Sequence, residues 1–275
     1  MVLVLIIVCV LSTILSSLSS EVTNTKHLPQ AIIIGVKKCG TRALLKFLSV
    51  HPAIAASSTE IHFFDSPKHF PLGLDWYRNQ MPIADTKQHV TIEKTPHYFV
   101  DKRTPKRLAR LLPDVKLILI LRDPIIRAIS DYVQIKNRHE SYPTFDNFVS
   151  MENFTKWTPI RIGCYAIYLR RWLKYFPLEQ IHFVDGENLI HRPWEELESV
   201  QRFLNVSNHI REEDFYFNME KRGFPCIRQP NGCLGSSKGR QHPTISGQTR
   251  EKLKHLYSNC NLQLKQLAQI DFPWL

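Results

Sequence analysis

The sequence predicts an α/β domain: a central, mainly parallel β-sheet flanked by helices. Two unbroken apolar runs, "AIIIGV" and "VKLILIL", have the length and branched-residue content of strands buried on both faces. Around them, segments of helical period alternate with further strand-like runs, the order expected of successive βα units. No repeat, low-complexity tract or linker interrupts this order, so residues 31–275 read as one domain.

The first twenty residues, "MVLVLIIVCVLSTILSSLSS", carry no charge and are apolar to about Leu15. That is short for a bilayer span and lacks a basic leading segment, so residues 1–20 read as a signal peptide or a short signal-anchor. Residues 21–30, "EVTNTKHLPQ", are polar and read as a stem. Ala31 to Val36 is the first buried strand, followed by a helix over Thr41 to Val50. "HPAIAASSTEIHFFD" is a loop with a short strand, and "GLDWYRNQM" is helical. "VTIEKTPHYF" is a strand ending in a turn at Pro96, and "TPKRLARLLP" has the pattern of a basic amphipathic helix. "VKLILILRDP" is a central strand stopped by Pro124, and "IIRAISDYVQIKNR" is the next helix. Beyond an irregular middle, "IGCYAIYLRRWLKYF" is a helix, "IHFVDGENL" a strand and turn, and "PWEELESVQRFLN" a helix. A last helix starts near Ser246.

Hydrophobic residues make up 43% and charged residues 22% of the 275, an ordinary globular composition. The net charge of +11 points to a polyanionic partner, whether nucleic acid, acidic membrane or sulfated glycan, and does not choose among them. Sequons at Asn153 and Asn205 agree with a lumenal chain. Apart from Cys9 there are five cysteines. The close pair in "CIRQPNGC" reads as a disulfide closing a Pro/Gly loop; zinc is the rival, without a second Cys/His pair of ligand spacing. Cys164, in an apolar helical stretch, reads as core, and the odd count leaves at least one free thiol.

Five stretches carry chemistry. In "IIIGVKKCGTRALLKFL", a strand, a Gly-bounded turn and a helix would aim backbone N–H groups and the helix dipole at an anion. Lys37, Lys38 and Arg42 add charge there. The glycines have G-x-x-x-x-G spacing, but Thr41 and Arg42 stand where a nucleotide kinase needs Lys and Ser/Thr. Arg122 follows the end of a buried strand, where open α/β sheets bind ligands, and Ser130 lies on a compatible helix face. "SSKGRQHP" is a second basic, hydroxyl-bearing loop suited to oxyanions. In "TEIHFFD", Glu60 and His62 would share one face if extended, and a carboxylate beside an imidazole suits a general base. The blander reading is a surface loop anchored by Phe63 and Phe64. "IEKTPHYF" sets Glu93 and Lys94 at a strand end, where Lys94 would balance charge on a transferred group.

Together these stretches, with "GLDWYRNQMP", "WTPIRIGCYAIYLRRWLKYFP" and "FYFNMEKRGFPCI", resemble the heparan sulfate glucosamine 3-O-sulfotransferase family from about Ala31 to the C-terminus. "IRIGCYA" and "GFPC" are closest to the branch typified by the glycoprotein-D-receptor-forming enzymes. The resemblance implies a P-loop-like sulfotransferase domain and 3′-phosphoadenylyl sulfate (PAPS) as donor. It implies a glucosamine 3-hydroxyl of heparan sulfate as acceptor, with no metal needed for transfer. By position, Lys38, Cys39, Gly40, Thr41 and Arg42 would surround the 5′-phosphosulfate, and Arg122 and Ser130 would hold the 3′-phosphate. Ser237, Lys238, Gly239, Arg240 and Gln241 would close over the donor. Glu60 would be the base, supported by His62 and Asp65, with Lys38 and Lys94 as catalytic cations. Ile61, Phe63, Phe64, Ser66, Thr95, Pro96, His97, Gln134, Trp157 and Thr158 would join Glu60, His62, Asp65 and Lys94 around the acceptor. Cys226 and Cys233 match the family disulfide. The expected product is a monomer of the secretory pathway in the Golgi lumen or secreted, bound to the Golgi membrane only if residues 1–20 are retained as an anchor, with heparan sulfate and not nucleic acid as partner.

Three positions depart from the pattern. Cys39 replaces a usual glycine, and a positive φ there would strain it by about 1 kcal/mol. At the start of a helix beside two lysines, its thiolate would be favoured. His97 replaces a small residue and Ser66 an arginine, which alters the acceptor cleft. A catalytically weak heparan-binding relative is the alternative these departures raise.

Overall fold

The computed structural model describes residues 25–275 except 85–89, 140, 222, 230–231 and 236–238. The expected leader, residues 1–20, lies outside the described residues. The strands are β1 (Thr25–Lys26), β2 (Ala31–Gly35), β3 (Ile54–Ala56), β4 (Ile83–Ala84), β5 (Val90–Lys94), β6 (Lys116–Leu121), β7 (Ile181–Asp185), β8 (Phe215–Asn218) and β9 (Phe224–Ile227). The helices are α1 (Thr41–Leu48), α2 (Gly73–Asn79), α3 (Thr104–Leu111), α4 (Pro124–Lys136), α5 (Phe145–Ser150), α6 (Thr158–Arg161), α7 (Tyr165–Trp172), α8 (Asn188–His191), α9 (Pro193–Leu204) and α10 (Gly247–Ala268).

A five-stranded parallel sheet in the order β3-β5-β2-β6-β7 forms the centre. The two apolar runs supply its middle strands, and Ile32, Ile33, Ile34 and Leu117 to Leu121 are fully buried, as both-face burial requires. The α1 side chains Leu44, Phe47 and Leu48 join the same core. From β2 the chain first builds one side of the sheet and then returns to the other, so strand order reverses beside β2. That is the position at which open α/β sheets form a crevice outside their strand ends.

Part of the expected stem belongs to the fold. β1 pairs antiparallel with β4, and Gln30 exchanges hydrogen bonds with Thr91 through its backbone N–H and its side-chain oxygen. Cys164 is not simply core: it forms a disulfide with Cys260 on α10, across a sequence separation of 96. Closing so long a loop stabilises by about 4–5 kcal/mol in the chain-entropy account. The expected Cys226–Cys233 disulfide is present, and Cys39 is the free, buried thiol among the described residues. Asn153 and Asn205 are both exposed.

Candidate active site

The loops that follow β2, β3, β5 and β6 meet at the carboxyl edge of the sheet, around a cleft of about 1350 Å³. Its floor is residues 36–40. Gly35 begins this turn because a Cβ there would sit 2.6 Å from the Phe99 Cβ. Val36 N–H donates to Ile120 O at 2.9 Å, and Cys39 N–H to Val36 O at 3.0 Å. The positive φ values fall on Lys38 (78°) and Gly40 (108°), not on Cys39, so the strain expected at the cysteine is absent there. Gly40 caps α1 without a side-chain bond, leaving the first-turn N–H groups of the helix uncapped by any side chain.

Buried groups hold this loop from behind. Arg127, fully buried on α4, donates to Asp131 at 3.2 Å and to Lys37 O at 3.5 Å. Asp131 in turn pairs with Lys37 Nζ at 2.8 Å. Lys38 Nζ reaches Gln134 at 3.1 Å. Across the loop, Gly186 leaves no room for a side chain: a Cβ would lie 2.5 Å from Cys39 O and 2.7 Å from Leu121 O. The Cys39 thiol is 1% exposed and burial pushes it up to about 11, so the thiolate expected at a helix start does not form.

Arg122 sits on the opposite wall. Asp123 caps α4 by accepting from Ile125 N–H at 2.7 Å, and Tyr165 O–H donates to Arg122 O at 2.8 Å. These contacts fix the Arg122 backbone, and its guanidinium pairs with Glu187, Nε to Oε1 at 2.6 Å. Ser130 also lines the cleft, as do Lys38, Cys39, Gly40, Thr41, Arg42, Gly239, Arg240 and Gln241. Ser237 and Lys238 lie outside the described residues.

Glu60, His62, Lys94, Pro96, His97 and Gln134 also line the cleft. The Glu60–His62 segment is not extended: His62 has φ +53°, yet its Nε2 still comes to 3.6 Å from Glu60 Oε2. Lys94 Nζ donates to Glu60 Oε1. Asp65 Oδ2 accepts from both His62 Nδ1 (2.8 Å) and His97 Nδ1 (2.6 Å). Chiefly through His62, and also through Lys94, Glu60 is held down to about 2 against the opposing effect of burial. His62 is pushed up to about 10 by Asp65 first and Glu60 second. Burial works to raise Asp65, but the hydrogen bonds from His62 and His97 outweigh it and keep its carboxyl well below the usual range.

Several expected acceptor contacts are instead supports. Ile61, Phe63, Phe64 and Thr95 are buried, and none of them lines the cleft. Phe63 stacks on Tyr77 at 4.5 Å between ring centroids. Phe63 N–H donates to Tyr98 O–H at 2.9 Å, and Ile61 N–H to Thr95 Oγ1 at 3.2 Å. Thr95 and Tyr77 both donate to the buried Glu93, at 2.8 and 2.7 Å, so Glu93 organises the strand end and does not enter the cleft. Trp157 stacks on Phe148 at 4.3 Å in a separate aromatic cluster, and Thr158 and Ser66 do not line the cleft. Sequence reasoning missed Arg127, Asp131, Tyr165, Gly186 and Glu187. The glycine after "VD" was a turn signal, but nothing in the local pattern tied it to the loop at 36–40.

Residues 28–268 match the sulfotransferase domain family. The chain belongs to the sulfotransferase family. Within it, the chain is 45% identical to mouse heparan sulfate glucosamine 3-O-sulfotransferase 3B1 over 261 residues, which is 91% of this chain and 66% of that protein. Against human heparan sulfate glucosamine 3-O-sulfotransferase 5 it is 41% identical over 260 residues, covering 90% of this chain and 75% of that protein. A sulfotransferase from Alicyclobacillus acidocaldarius superposes with a TM-score of 0.71 at 22% identity, covering 90% of this chain and 99% of that one. That likeness bears on the sulfotransferase fold, which the parallel sheet and crevice share. No helix among the described residues is long and apolar enough to cross a membrane.

Proposed function

We propose that this chain transfers a sulfonate group from 3′-phosphoadenylyl sulfate to the 3-hydroxyl of a glucosamine residue in heparan sulfate. The observation that carries the reading is one cleft with an anion cradle at residues 37–42 and Arg122, and a carboxylate–imidazole–lysine group at Glu60, His62 and Lys94. The residues fit the donor: uncapped helix N–H groups, Lys38 and Arg42 suit its phosphosulfate, and Arg122 with Ser130 suits a second phosphate. When bound, the donor supplies a sulfonate already activated on a phosphate, for an in-line displacement.

The chain's own groups supply the rest. Glu60 accepts the proton of the acceptor hydroxyl, and it is ionised across the physiological range. Its basicity is low while His62, chiefly, and Lys94 both hold it; the acceptor hydroxyl replaces Lys94 at Oε1, which removes the lesser of the two restraints, and the freed ammonium faces the charge on the transferred group. His62, anchored on Asp65, orients Glu60 from the other side. The basic chain meets a polyanionic acceptor, so association weakens with salt. Two disulfides suit an oxidising lumen such as the Golgi.

Transfer of label from radiolabelled donor to heparan sulfate tests the reading. Glu60→Gln is expected to lower kcat by about 10²–10⁴-fold while leaving binding of the desulfated donor product unchanged. Label transfer at the parental rate in this variant overturns Glu60 as the base. Absence of transfer by the parent chain, with donor product still bound, favours instead a heparan-binding relative without turnover.

A further inference from the structure

His97 brings a second imidazole to a carboxylate that already carries one. Both Nδ1 atoms converge on the same oxygen, Asp65 Oδ2, at 2.8 and 2.6 Å, and these three atoms all lie within 4.8 Å of one another. The Asp65 side chain is only 4% exposed, and its other oxygen, Oδ1, is buried without a hydrogen-bond partner. One oxygen can accept from both rings, and the arrangement sets two imidazole nitrogens and a carboxylate oxygen around one point.

We propose that His62, Asp65 and His97 form a zinc-binding site on the wall of the cleft, with both Nδ1 atoms and Oδ2 as ligands and the fourth position open to water or an oxyanion. Two imidazoles and one carboxylate are a ligand set for zinc, whose bonds of about 2.0–2.2 Å set tetrahedral ligand atoms about 3.3 Å apart. The two imidazole–carboxylate spacings, 2.8 and 2.6 Å, are shorter than that value, and the His97 side chain, 58% exposed, has room to open to it. The outer partners suit the ion as well. His62 keeps Nε2 toward Glu60 at 3.6 Å, the carboxylate–imidazole–metal order that orients a ligating ring. Arg103 donates to the Asp65 backbone oxygen at 2.6 Å and fixes the segment that carries the carboxylate. Zinc here takes no part in transfer. It engages His62 and sets a divalent charge beside the Glu60 group, so its expected effect is inhibition.

Calorimetry and competition with a chromophoric chelator, on the full chain freed of any histidine tag and without donor or acceptor, test the site. With zinc chloride, the parent is expected to bind one ion per chain in the micromolar range or tighter, and magnesium not to compete, since it prefers an all-oxygen octahedron. His97→Ser, at an exposed position that leaves the core untouched, is expected to weaken zinc by about tenfold or more, and His62→Gln likewise. Undiminished binding in His97→Ser, or no saturable binding by the parent up to about 100 µM, overturns the proposal. In the transfer assay, each chain's rate relative to its own metal-free rate should fall with zinc for the parent and hold for His97→Ser; equal inhibition of both overturns it as well. Because binding is read without donor or acceptor, it stands or falls separately from the proposed sulfonate transfer.

Discussion

Replacing Cys39 by glycine separates two accounts of the cleft floor. If the residue at this position needed a positive φ, glycine would relieve about 1 kcal/mol of strain and stabilise the chain. In the structure the left-handed conformations belong to Lys38 and Gly40, and the Cys39 side chain is buried at 1% exposure against the Tyr165 hydroxyl, 3.8 Å away. Cys39→Gly therefore deletes a buried methylene and thiol, about 1–2 kcal/mol of transfer free energy. The added backbone freedom of glycine in the unfolded chain costs a further ~0.5–1 kcal/mol. The sum, about 2 kcal/mol, lowers Tm by roughly 4–8 °C in a domain of this size. Lys38→Gly is the converse: relief of about 1 kcal/mol of left-handed strain is largely offset by the same ~0.5–1 kcal/mol of unfolded-chain freedom, so Tm should stay within roughly 2 °C of the parent while the cradle for a phosphosulfate weakens. Calorimetric scans of both variants at one scan rate supply the comparison. Alkylation with peptide mapping supplies a second reading, with Cys39 unmodified in the native chain and modified after denaturation. A Tm for Cys39→Gly at or above the parent, or ready alkylation of native Cys39, refutes the packing account.

Arg122→Ala is expected to weaken binding of the desulfated donor product by about 10–100-fold, the loss of charge-assisted contacts, while heparin affinity stays nearly intact. Equal loss of both would mean that Arg122 is not a dedicated donor contact. A third expectation concerns acid stability. Burial lowers His182 from its ordinary 6.5 to about 4, with Phe203 stacked at 5.0 Å and the Nε2 atom unpartnered. A depressed folded value means its contribution is present above pH 6.5 and is lost as pH falls through about 4, by up to roughly 2–3 kcal/mol. Denaturant midpoints measured between pH 7 and 4 should fall less steeply for His182→Phe than for the parent; parallel slopes would exclude His182 as the source.

Legibility in the sequence tracked the range of the interaction that decides each feature. β2 and β6 could be read because both-face burial writes itself into consecutive residues, and the loop at 36–40 because glycines and cations cluster within six positions. The partner of Cys164 could not, since Cys260 lies 96 residues away and only the packing of α10 on α7 brings them together. Nor could the split within "TEIHFFD" be seen: Phe63 and Phe64 turn into the core because Tyr98 and Thr95 take the backbone N–H groups of this segment from another strand end, while Glu60 and His62 are left in the cleft. The cysteine marks the subtler failure. Residue identity records what a position tolerates, whereas φ is set by how the turn must close, and here the turn closes with the left-handed residues on either side of Cys39. The same step explains why His97 matters more in the fold than in the string. Beside Thr95 and Pro96 it reads as one unusual residue at a strand end; in space it completes a carboxylate flanked by two imidazoles, which a smaller side chain at that position would leave with one.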